Sequence, residues 1–330
     1  MAQTRTREAE AGCWWTDEGT VVSRDAGLTP SGDEQRRATN PAAMKSRRIY
    51  GPMTHAYAPL TDVTFLAFDT ETTGLFPIMH RVVEVGAVRF RLDGQQLATF
   101  QTLVDPQTPI PEDAQRIHRI TDSMVRGQRG IEHVLPRFIE FLGAPDTVLL
   151  AHNAPFDLGF LAMALTRLGM PYPPHRLIDT LDLARRLYPT WPSHSLENMG
   201  PRLNVAGGAE HRALADAFLV KDVFTALLRR RPTVKSIVDL VQLSPLLTFA
   251  DALIFPIEPP AGFEALSTAL SGRCAVMIVY GRGRGRPKPR KITPRLLLEA
   301  SGLAYVMAYC HEDRVERTFR LDRIQACWLE

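Results

Sequence analysis

Two acidic residues at the end of an apolar segment are the first sign of chemistry in this sequence. Asp69 and Glu71 follow the run Val63–Phe68, which is typical of a buried strand. Residues two apart on a strand point to the same side, so the two carboxylates would lie next to each other. Because like charges beside a buried strand are costly unless a cation lies between them, the pair predicts a metal site.

A third carboxylate follows another apolar segment. Thr147–Ala151 is also typical of a buried strand, and Asn153 and Pro155 suit the cap and first turn of the next helix. Asp157 would then lie near the start of that helix, at the carboxyl end of the sheet, where sites in α/β proteins gather. Taken alone, Asp157 could also be an acidic residue that stabilises the helix N-terminus.

The last pair combines an imidazole with a carboxylate. His211 and Asp216 are five residues apart, and on one helix their side chains would point roughly 140° apart. The preceding Gly207-Gly208 predicts a loop. We therefore expect His211 to lie just before the helix, where it can turn toward Asp216.

Together these side chains suit metal-dependent chemistry at phosphorus. Carboxylate oxygens are ligands for Mg²⁺ or Mn²⁺ rather than zinc, and two such ions about 3.5–4 Å apart stabilise the attacking and leaving oxygens of a displacement. An imidazole, with a reference pKa of about 6.5, can take a proton from metal-bound water. The expected site holds two Mg²⁺ or Mn²⁺ ions. Its residues are Asp69, Glu71, Asp157 and Asp216 as metal ligands and His211 as general base.

The segments between these residues predict an α/β fold. Two strand patterns, over 81–91 and 96–104, flank the hairpin signal Asp93-Gly94. Helical spacing of apolar residues follows in several places. The predicted helices are Ile131–Leu142, Phe156–Leu168, a short helix capped by Asp179, a short helix from Ser195, and Ala213–Leu228. This order predicts a mixed sheet flanked by helices.

Three segments resemble the motifs of the DnaQ-like exonucleases, also called the DEDDh family. They are DTETTGL at Asp69–Leu75, HNAPFD at His152–Asp157 and HRALAD at His211–Asp216. Each motif alone is weak evidence, but all three occur in order and at family-like spacing. The resemblance covers about residues 60–231. It implies a ribonuclease H-like fold, 3′→5′ removal of nucleotides from a nucleic acid with a free 3′ end, and two divalent metal ions.

The resemblance also implies which residues contact the substrate. Thr72, Thr73 and Gly74 match the segment that holds the 3′-terminal nucleotide through backbone groups. Leu75 matches a residue that wedges against the terminal base, and Asn153 matches a position that can touch the substrate. For Leu75, a place in the hydrophobic core is the ordinary alternative.

Residues 263–330 predict a second, small and β-rich domain. A helix pattern at Phe263–Leu270 precedes strand patterns at Ala275–Tyr280, Leu303–Tyr309 and Thr318–Leu321. This part resembles a WYL domain, although Ala304 and Val306 replace the Trp and Leu of the naming triplet. The resemblance implies an Sm-like small β-barrel that binds nucleic acid, a nucleotide or another small ligand.

A basic segment interrupts this second domain. Residues 281–295 carry seven Lys or Arg residues and no acidic residue, and we expect a basic loop from Arg282 to Arg295. Such a segment can bind phosphates, and it can equally be a solvated hairpin tip. The candidate nucleic-acid-binding residues are Arg282, Arg284, Arg286 and Lys288.

Composition and pattern divide the chain into four parts. Residues 1–58 lack a sustained period and are expected to be a disordered extension. The exonuclease domain is expected over 59–231, a proline-containing linker over 232–262, and the WYL-like domain over 263–330. Four scattered cysteines fit reduced thiols and a cytoplasmic location, and no run of eighteen apolar residues predicts a membrane span.

The sequence therefore predicts an enzyme, a 3′→5′ exonuclease that hydrolyses DNA, and single-stranded DNA in particular, in replication, proofreading or repair. Two alternatives stay open. One is an RNA-trimming exonuclease, because no residue in the motifs shows how a 2′-hydroxyl would be read. The other is a ligand-responsive regulatory protein whose nuclease activity is secondary, as the C-terminal domain would allow.

Overall fold

The computed structural model describes most of the chain in full. The described ranges are 57–206, 211–281 and 289–330, and nearer the N-terminus the backbone of three short strands is described as well. Most of the extension expected to be disordered lies outside the described residues, and so does the Gly207-Gly208 pair. The candidate nucleic-acid-binding residues also lie outside them: Arg282, Arg284, Arg286 and Lys288.

The N-terminal strands belong to a compact unit of their own, Met1–Met53, and the second unit comprises Thr54–Glu330. Strands β1 (Glu8–Ala9), β2 (Cys13–Trp15) and β3 (Val21–Ser23) form a small antiparallel sheet in that order.

A five-stranded mixed sheet forms the centre of the second unit. Its strands are β4 (Phe65–Thr72), β5 (Val82–Phe90), β6 (Gln96–Leu103), β7 (Val148–Ala151) and β8 (Arg176–Asp179). They lie in the order β6-β5-β4-β7-β8. Strand β4 pairs antiparallel with β5 and parallel with β7, so the predicted mixed sheet is confirmed.

Helices surround this sheet, and most of them follow the predicted bounds closely. They are α1 (Glu112–His118), α2 (Asp122–Val125), α3 (Ile131–Leu142), α4 (Ala154–Leu168), α5 (Thr180–Leu187), α6 (Leu196–Leu203) and α7 (Ala213–Arg229). Asp179 caps α5 as predicted, because its carboxylate accepts a hydrogen bond from Leu181 N. No helix in the described part of the chain has the length and apolarity to cross a lipid bilayer.

The central strand is covered on both faces, and this decides where its acidic residues point. Leu66 and Phe68 lie in the core formed with α3 and α4, whereas the ring of Phe65 packs against that of Phe224 in α7. Side chains alternate along a strand. Asp69 and Glu71 therefore fall on the same face as Phe65, toward α7.

The segment over 232–262 joins the domain of the mixed sheet to the C-terminal sheet. It contains α8 (Ile237–Leu243), a 3-10 turn at Phe249–Ala252 and strand β9 (Ile254–Pro256). Phe249 is buried in the core between the mixed sheet and its helices, and β9 pairs with a strand of the C-terminal domain. The segment predicted as a linker is thus folded against both parts.

The predicted β-rich C-terminal domain is confirmed. After helix α9 (Glu264–Gly272) come β10 (Val276–Tyr280), β11 (Pro289–Ala300), β12 (Leu303–Cys310), β13 (Val315–Arg320) and β14 (Ile324–Leu329). All pair antiparallel, in the order β13-β12-β11-β10-β14. One prediction is wrong: the basic segment is not a loop as far as Arg295, because β11 already begins at Pro289.

A mixed apolar cluster joins the two domains. Met163 of α4 packs with residues of the C-terminal sheet, among them Leu298 and Met307, and with Ile254 of β9. Tyr172 crosses the same boundary, because its hydroxyl donates a hydrogen bond to Ile254 O over 2.5 Å. The domains therefore share buried apolar surface.

Candidate active site

The C-terminal end of β4 carries the first two carboxylates. Asp69 and Glu71 are partly buried and point toward α7, as the alternation along the strand requires. The residue between them, Thr70, is buried and points to the opposite face. There it meets the start of α4, so one strand end reaches both layers of helices.

Asp157 is tied directly to this strand. Its Oδ1 atom accepts hydrogen bonds from Thr70 N over 2.9 Å and from Thr70 Oγ1 over 2.6 Å, and its side chain is almost fully buried. These two bonds hold the first turn of α4 against β4. The N-terminus of that helix also favours a negative charge at this position.

Asn153 lies at the N-cap of α4, but the predicted side-chain cap is wrong. Its backbone is left-handed, with φ 64° and ψ 47°, and its side chain makes no capping hydrogen bond. The left-handed turn directs the backbone N–H instead to Asp179 Oδ1, over 3.0 Å. The exposed Asn153 side chain is thereby left on the surface.

The third element brings His211 to the carboxylates. His211 lies before α7 with a left-handed φ of 50°, and Arg212 is the N-cap of that helix. As expected from the sequence, His211 is therefore outside the helix that carries Asp216. One possible ligand atom from each of Glu71, His211 and Asp216 lies within 4.8 Å of the others.

The carboxylates strongly affect one another's ionisation. Burial raises the pKa of Asp69 well above its usual value, and the charges of Asp157, Glu71 and Asp216 raise it further. Burial, followed by the charges of Asp216 and Glu84, raises the pKa of Glu71 to about 8. The pKa of Asp157 rises to about 7, mainly through burial. A bound proton or a cation would relieve this repulsion, and the four carboxylates offer the oxygen donors that a hard divalent ion prefers.

Glu84 is a further buried carboxylate beside this cluster, and it is not among the site residues predicted from the motifs. It lies in β5 directly opposite Glu71 and is completely buried. Arg212 donates to it from Nε over 3.1 Å and from Nη2 over 2.8 Å, and Ala213 N donates over 3.0 Å. Burial alone would raise the pKa of Glu84, but hydrogen bonds from Arg212, Gln101 and Ala213 outweigh it and hold that pKa below its usual value.

This contact fixes the N-terminus of α7, and a glycine makes the approach possible. A Cβ atom on Gly86 would lie 2.1 Å from Leu214 N and 2.2 Å from the carbonyl carbon of Ala213. Any larger residue at this position would push α7 away from β5. A charged residue two positions before a glycine, inside an otherwise apolar strand, is the signal that could have identified Glu84 from sequence.

The residues expected to bind the terminal nucleotide lie where β4 turns out of the sheet. Thr72 and Thr73 are buried, whereas 70% of Leu75 is exposed, so Leu75 is not a core residue. Gly74 has φ 154°, and a Cβ atom there would lie 2.6 Å from the His80 ring. Exposed Leu75 thus lies four residues after Glu71, next to a turn that needs a glycine.

The matched families agree with the resemblance drawn from the motifs. Residues 66–224 match the RNase T exonuclease family, and residues 261–327 match the WYL domain family. The expected resemblance to both families is confirmed.

The curated relatives are much longer proteins. The DNA polymerase III PolC-type of Halalkalibacterium halodurans is 38% identical over 49% of this chain and 11% of that protein. The corresponding protein of Clostridium perfringens is 39% identical over 47% of this chain and 10% of its own length. The chain thus spans only about a tenth of the length of the curated relatives it matches.

Solved structures of exonucleases are also similar. Exonuclease X in complex with 5′ overhanging duplex DNA is 30% identical, with a TM-score of 0.41 over 52% of this chain and 93% of that chain. Escherichia coli exonuclease I in complex with a dA16 oligonucleotide is 17% identical, with a TM-score of 0.48 over 72% of this chain and 55% of that chain.

Proposed function

We propose that this chain hydrolyses DNA from its 3′ end and uses divalent metal ions to do so. The proposal starts from the exonuclease domain at residues 66–224 and the WYL domain at residues 261–327. One observation carries the proposal. Glu71, His211 and Asp216 bring ligand atoms within 4.8 Å of one another, and Asp69 interacts electrostatically with Glu71, Asp216 and Asp157. An oxygen-rich cluster with an imidazole beside it is suited to metal-dependent hydrolysis of a phosphodiester.

Asp69, Glu71, Asp157 and Asp216 would hold two Mg²⁺ or Mn²⁺ ions. Such ions, when bound, make water a better nucleophile and stabilise charge on the phosphoryl oxygens. Hydrogen bonds from the protein fix the positions of two of these carboxylates. Asp157 accepts two hydrogen bonds from Thr70. Asp216 lies on α7, whose N-terminus is bound by Glu84.

His211 would be the general base that takes the proton from the attacking water. It is half exposed, with 45% of its side chain open to solvent, so it can exchange that proton with the bulk. The Glu197 carboxylate lies 3.4 Å from His211 Nε2 and would stabilise the imidazolium that forms.

The 3′-terminal nucleotide would lie along Thr72, Thr73 and Gly74, with its base against Leu75. A large apolar side chain that is 70% exposed, on the segment that follows Asp69 and Glu71, is suited to contact with a base. A base can reach it only when unpaired, which favours a single-stranded 3′ end. The exposed Asn153 side chain would contact the substrate from the start of α4.

DNA is the favoured substrate because the curated relatives are DNA polymerases, which points to replication, proofreading or repair. The C-terminal domain would bind nucleic acid or a small ligand, with Arg282, Arg284, Arg286 and Lys288 as phosphate contacts. Cys274, Cys310 and Cys327 are free thiols, which fits a cytoplasmic location.

One assay tests the proposal. The purified chain is incubated with end-labelled single-stranded DNA, duplex DNA or RNA, each with Mg²⁺, Mn²⁺ or EDTA. We expect shortening from the 3′ end of single-stranded DNA that EDTA abolishes. Faster shortening of RNA would replace the DNA substrate by RNA, and binding without any cleavage would favour the regulatory alternative.

A further inference from the structure

The loop that leaves the proposed nucleotide site is bound by the C-terminal domain. This 75–81 loop runs from Leu75 to Arg81. Arg81 Nη2 lies 2.6 Å from Glu316 Oε2 of β13, and this ion pair is partly exposed, with 21% of the Arg81 side chain and 32% of the Glu316 side chain open to solvent. Two residues farther along β13, Thr318 Oγ1 donates a hydrogen bond to Ile78 O over 3.3 Å. Both contacts come from the same side of one strand, because residues two apart on a strand point the same way.

Ile78 anchors the middle of the loop between the two domains. Its side chain packs in the shared cluster with Met163 of α4 and Met307 of β12. Its carbonyl oxygen also accepts a hydrogen bond from Arg167 Nη2 over 2.8 Å. One carbonyl group is therefore bound from the exonuclease domain by Arg167 and from the C-terminal domain by Thr318.

Arg81 connects these contacts to the nucleotide site. Its backbone N–H donates to Thr73 Oγ1 over 3.0 Å, and its carbonyl oxygen accepts from Thr73 N over 2.8 Å. Its guanidinium also donates to Met79 O and His80 O, which closes the loop on itself. The residue that Glu316 binds is thus the residue that holds Thr73.

We propose that Glu316 and Thr318 are positioning residues for the exonuclease site, and that the C-terminal domain sets the geometry of the pocket for the 3′-terminal nucleotide. The inference rests on the proposed function. It differs from a role in binding distant nucleotides, because the 75–81 loop borders the terminal nucleotide itself. The last nucleotide of every substrate would then depend on β13, whatever the length of the strand.

The test uses the full chain and a double variant, Glu316→Gln with Thr318→Val, which removes the ion pair and the hydroxyl at nearly constant size. Thr318→Ser keeps the hydroxyl and serves as the conservative variant. The matched control is Asp322→Asn, whose carboxylate pairs with Arg320 inside the same domain, with 3.0 Å between Arg320 Nε and Asp322 Oδ1. Two substrates are compared: a single-stranded oligonucleotide, and the p-nitrophenyl ester of thymidine 5′-phosphate, which can fill only the terminal pocket.

The double variant should raise KM for both substrates by about three- to tenfold, because a partly exposed ion pair and a hydrogen bond that together order the pocket are lost. The turnover number at saturation should change much less. Thr318→Ser and Asp322→Asn should behave as the unaltered chain. Amide hydrogen exchange without substrate should become faster over residues 74–81 in the double variant alone.

Three results would overturn the proposal. A rise in KM limited to the oligonucleotide would mean that the domain only adds contacts to distant nucleotides. A lower turnover number with unchanged KM would mean that it only stabilises the fold. Unchanged exchange over residues 74–81 would mean that β13 does not hold the loop, and this readout stands even if the chain cleaves neither substrate and the proposed function fails.

Discussion

Glu84 and Arg212, which are 128 positions apart in the chain, form a two-point ion pair directly beneath the carboxylate cluster. The carboxylate is completely buried and also accepts a hydrogen bond from Ala213, the first residue of α7. Since His211 and Asp216 lie on either side of this point, a single buried side chain in β5 sets the position of both.

We expect Glu84→Gln to weaken both stability and catalysis. The loss of the buried charge leaves the Arg212 donors poorly matched, which should lower the free energy of unfolding by about 2–3 kcal/mol. A shift of α7 by a fraction of an ångström should lower kcat by roughly tenfold or more. Denaturant unfolding and cleavage of single-stranded DNA measure the two effects.

The control for this change is Asp113→Asn, which removes an exposed ion pair with Arg116 and should alter stability by less than about 0.5 kcal/mol. A Glu84→Gln protein that is less stable but has normal kcat would show that Glu84 serves the fold alone.

Asp69→Asn should separate activity from stability. Loss of a metal ligand should lower kcat by about 10³-fold or more, which is about 4 kcal/mol of barrier. In EDTA, however, the variant should melt at a higher temperature than the unaltered chain, because burial and four neighbouring carboxylates disfavour the Asp69 charge. Activity near normal in Mg²⁺ would remove Asp69 from the site.

Stability of the metal-free chain should fall as pH rises above about 6.5. Glu71 and Asp157 have pKa values of about 8 and about 7 in the folded chain, against about 4 when unfolded. Between pH 6.5 and about 8 the folded chain therefore binds more protons than the unfolded chain, so the free energy of unfolding decreases as the pH rises. Burial lowers the pKa values of His118, His152 and His175. Their titration makes stability rise with pH, but only below about pH 6.5.

Thermal melts in EDTA at pH 6.5 and 8.5 measure this effect, and we expect a fall in Tm of roughly 3 °C or more. Mg²⁺ should raise Tm more at pH 8.5, because the ion competes with protons for the carboxylates. Glu71→Gln should flatten the dependence. A Tm that rises over this interval would contradict the mutual repulsion of the cluster.

His211→Ala should distinguish a general base from a metal ligand. As a base, His211 contributes to the rate by roughly 10²–10⁴-fold, and its loss should leave Mn²⁺ affinity within a few-fold of normal. Calorimetric titration with Mn²⁺ and cleavage rates give the two quantities. His133→Ala, at an exposed position in α3, is the matched control. A large loss of Mn²⁺ affinity would instead make His211 a ligand.

Local sequence patterns were sufficient for the elements that carry the motifs. The helix predicted at Ile131–Leu142 has those bounds, and His211 lies outside α7 as the neighbouring glycines indicated. Both depend on short-range effects: apolar spacing in the first case, and the backbone freedom of glycine in the second. The cap by Asp179 was predictable for the same reason.

What the sequence did not reveal depends on partners far apart in the chain. The role of Glu84 depends on its ion pair with Arg212, and that of Glu316 on its ion pair with Arg81. No local sequence pattern links either pair. Asn153 occupies a predicted cap position but adopts a left-handed turn, because Asp179 offers its backbone N–H an acceptor. The first residues of β11 are basic and rich in proline, a pattern that predicts a loop up to Arg295, although they pair with β10.

The apolar cluster of Met163, Ile254 and Leu298 should determine how this chain unfolds and whether its C-terminal domain can be exchanged for another. Two domains that share a buried cluster should unfold in a single cooperative transition, with one heat-absorption peak. A chain cut at residue 231 would lose Phe249 from its core and present Met163 to water, so it would be prone to aggregation. The C-terminal domain is therefore not an interchangeable module: a sequence that replaced it would have to supply the same apolar surface.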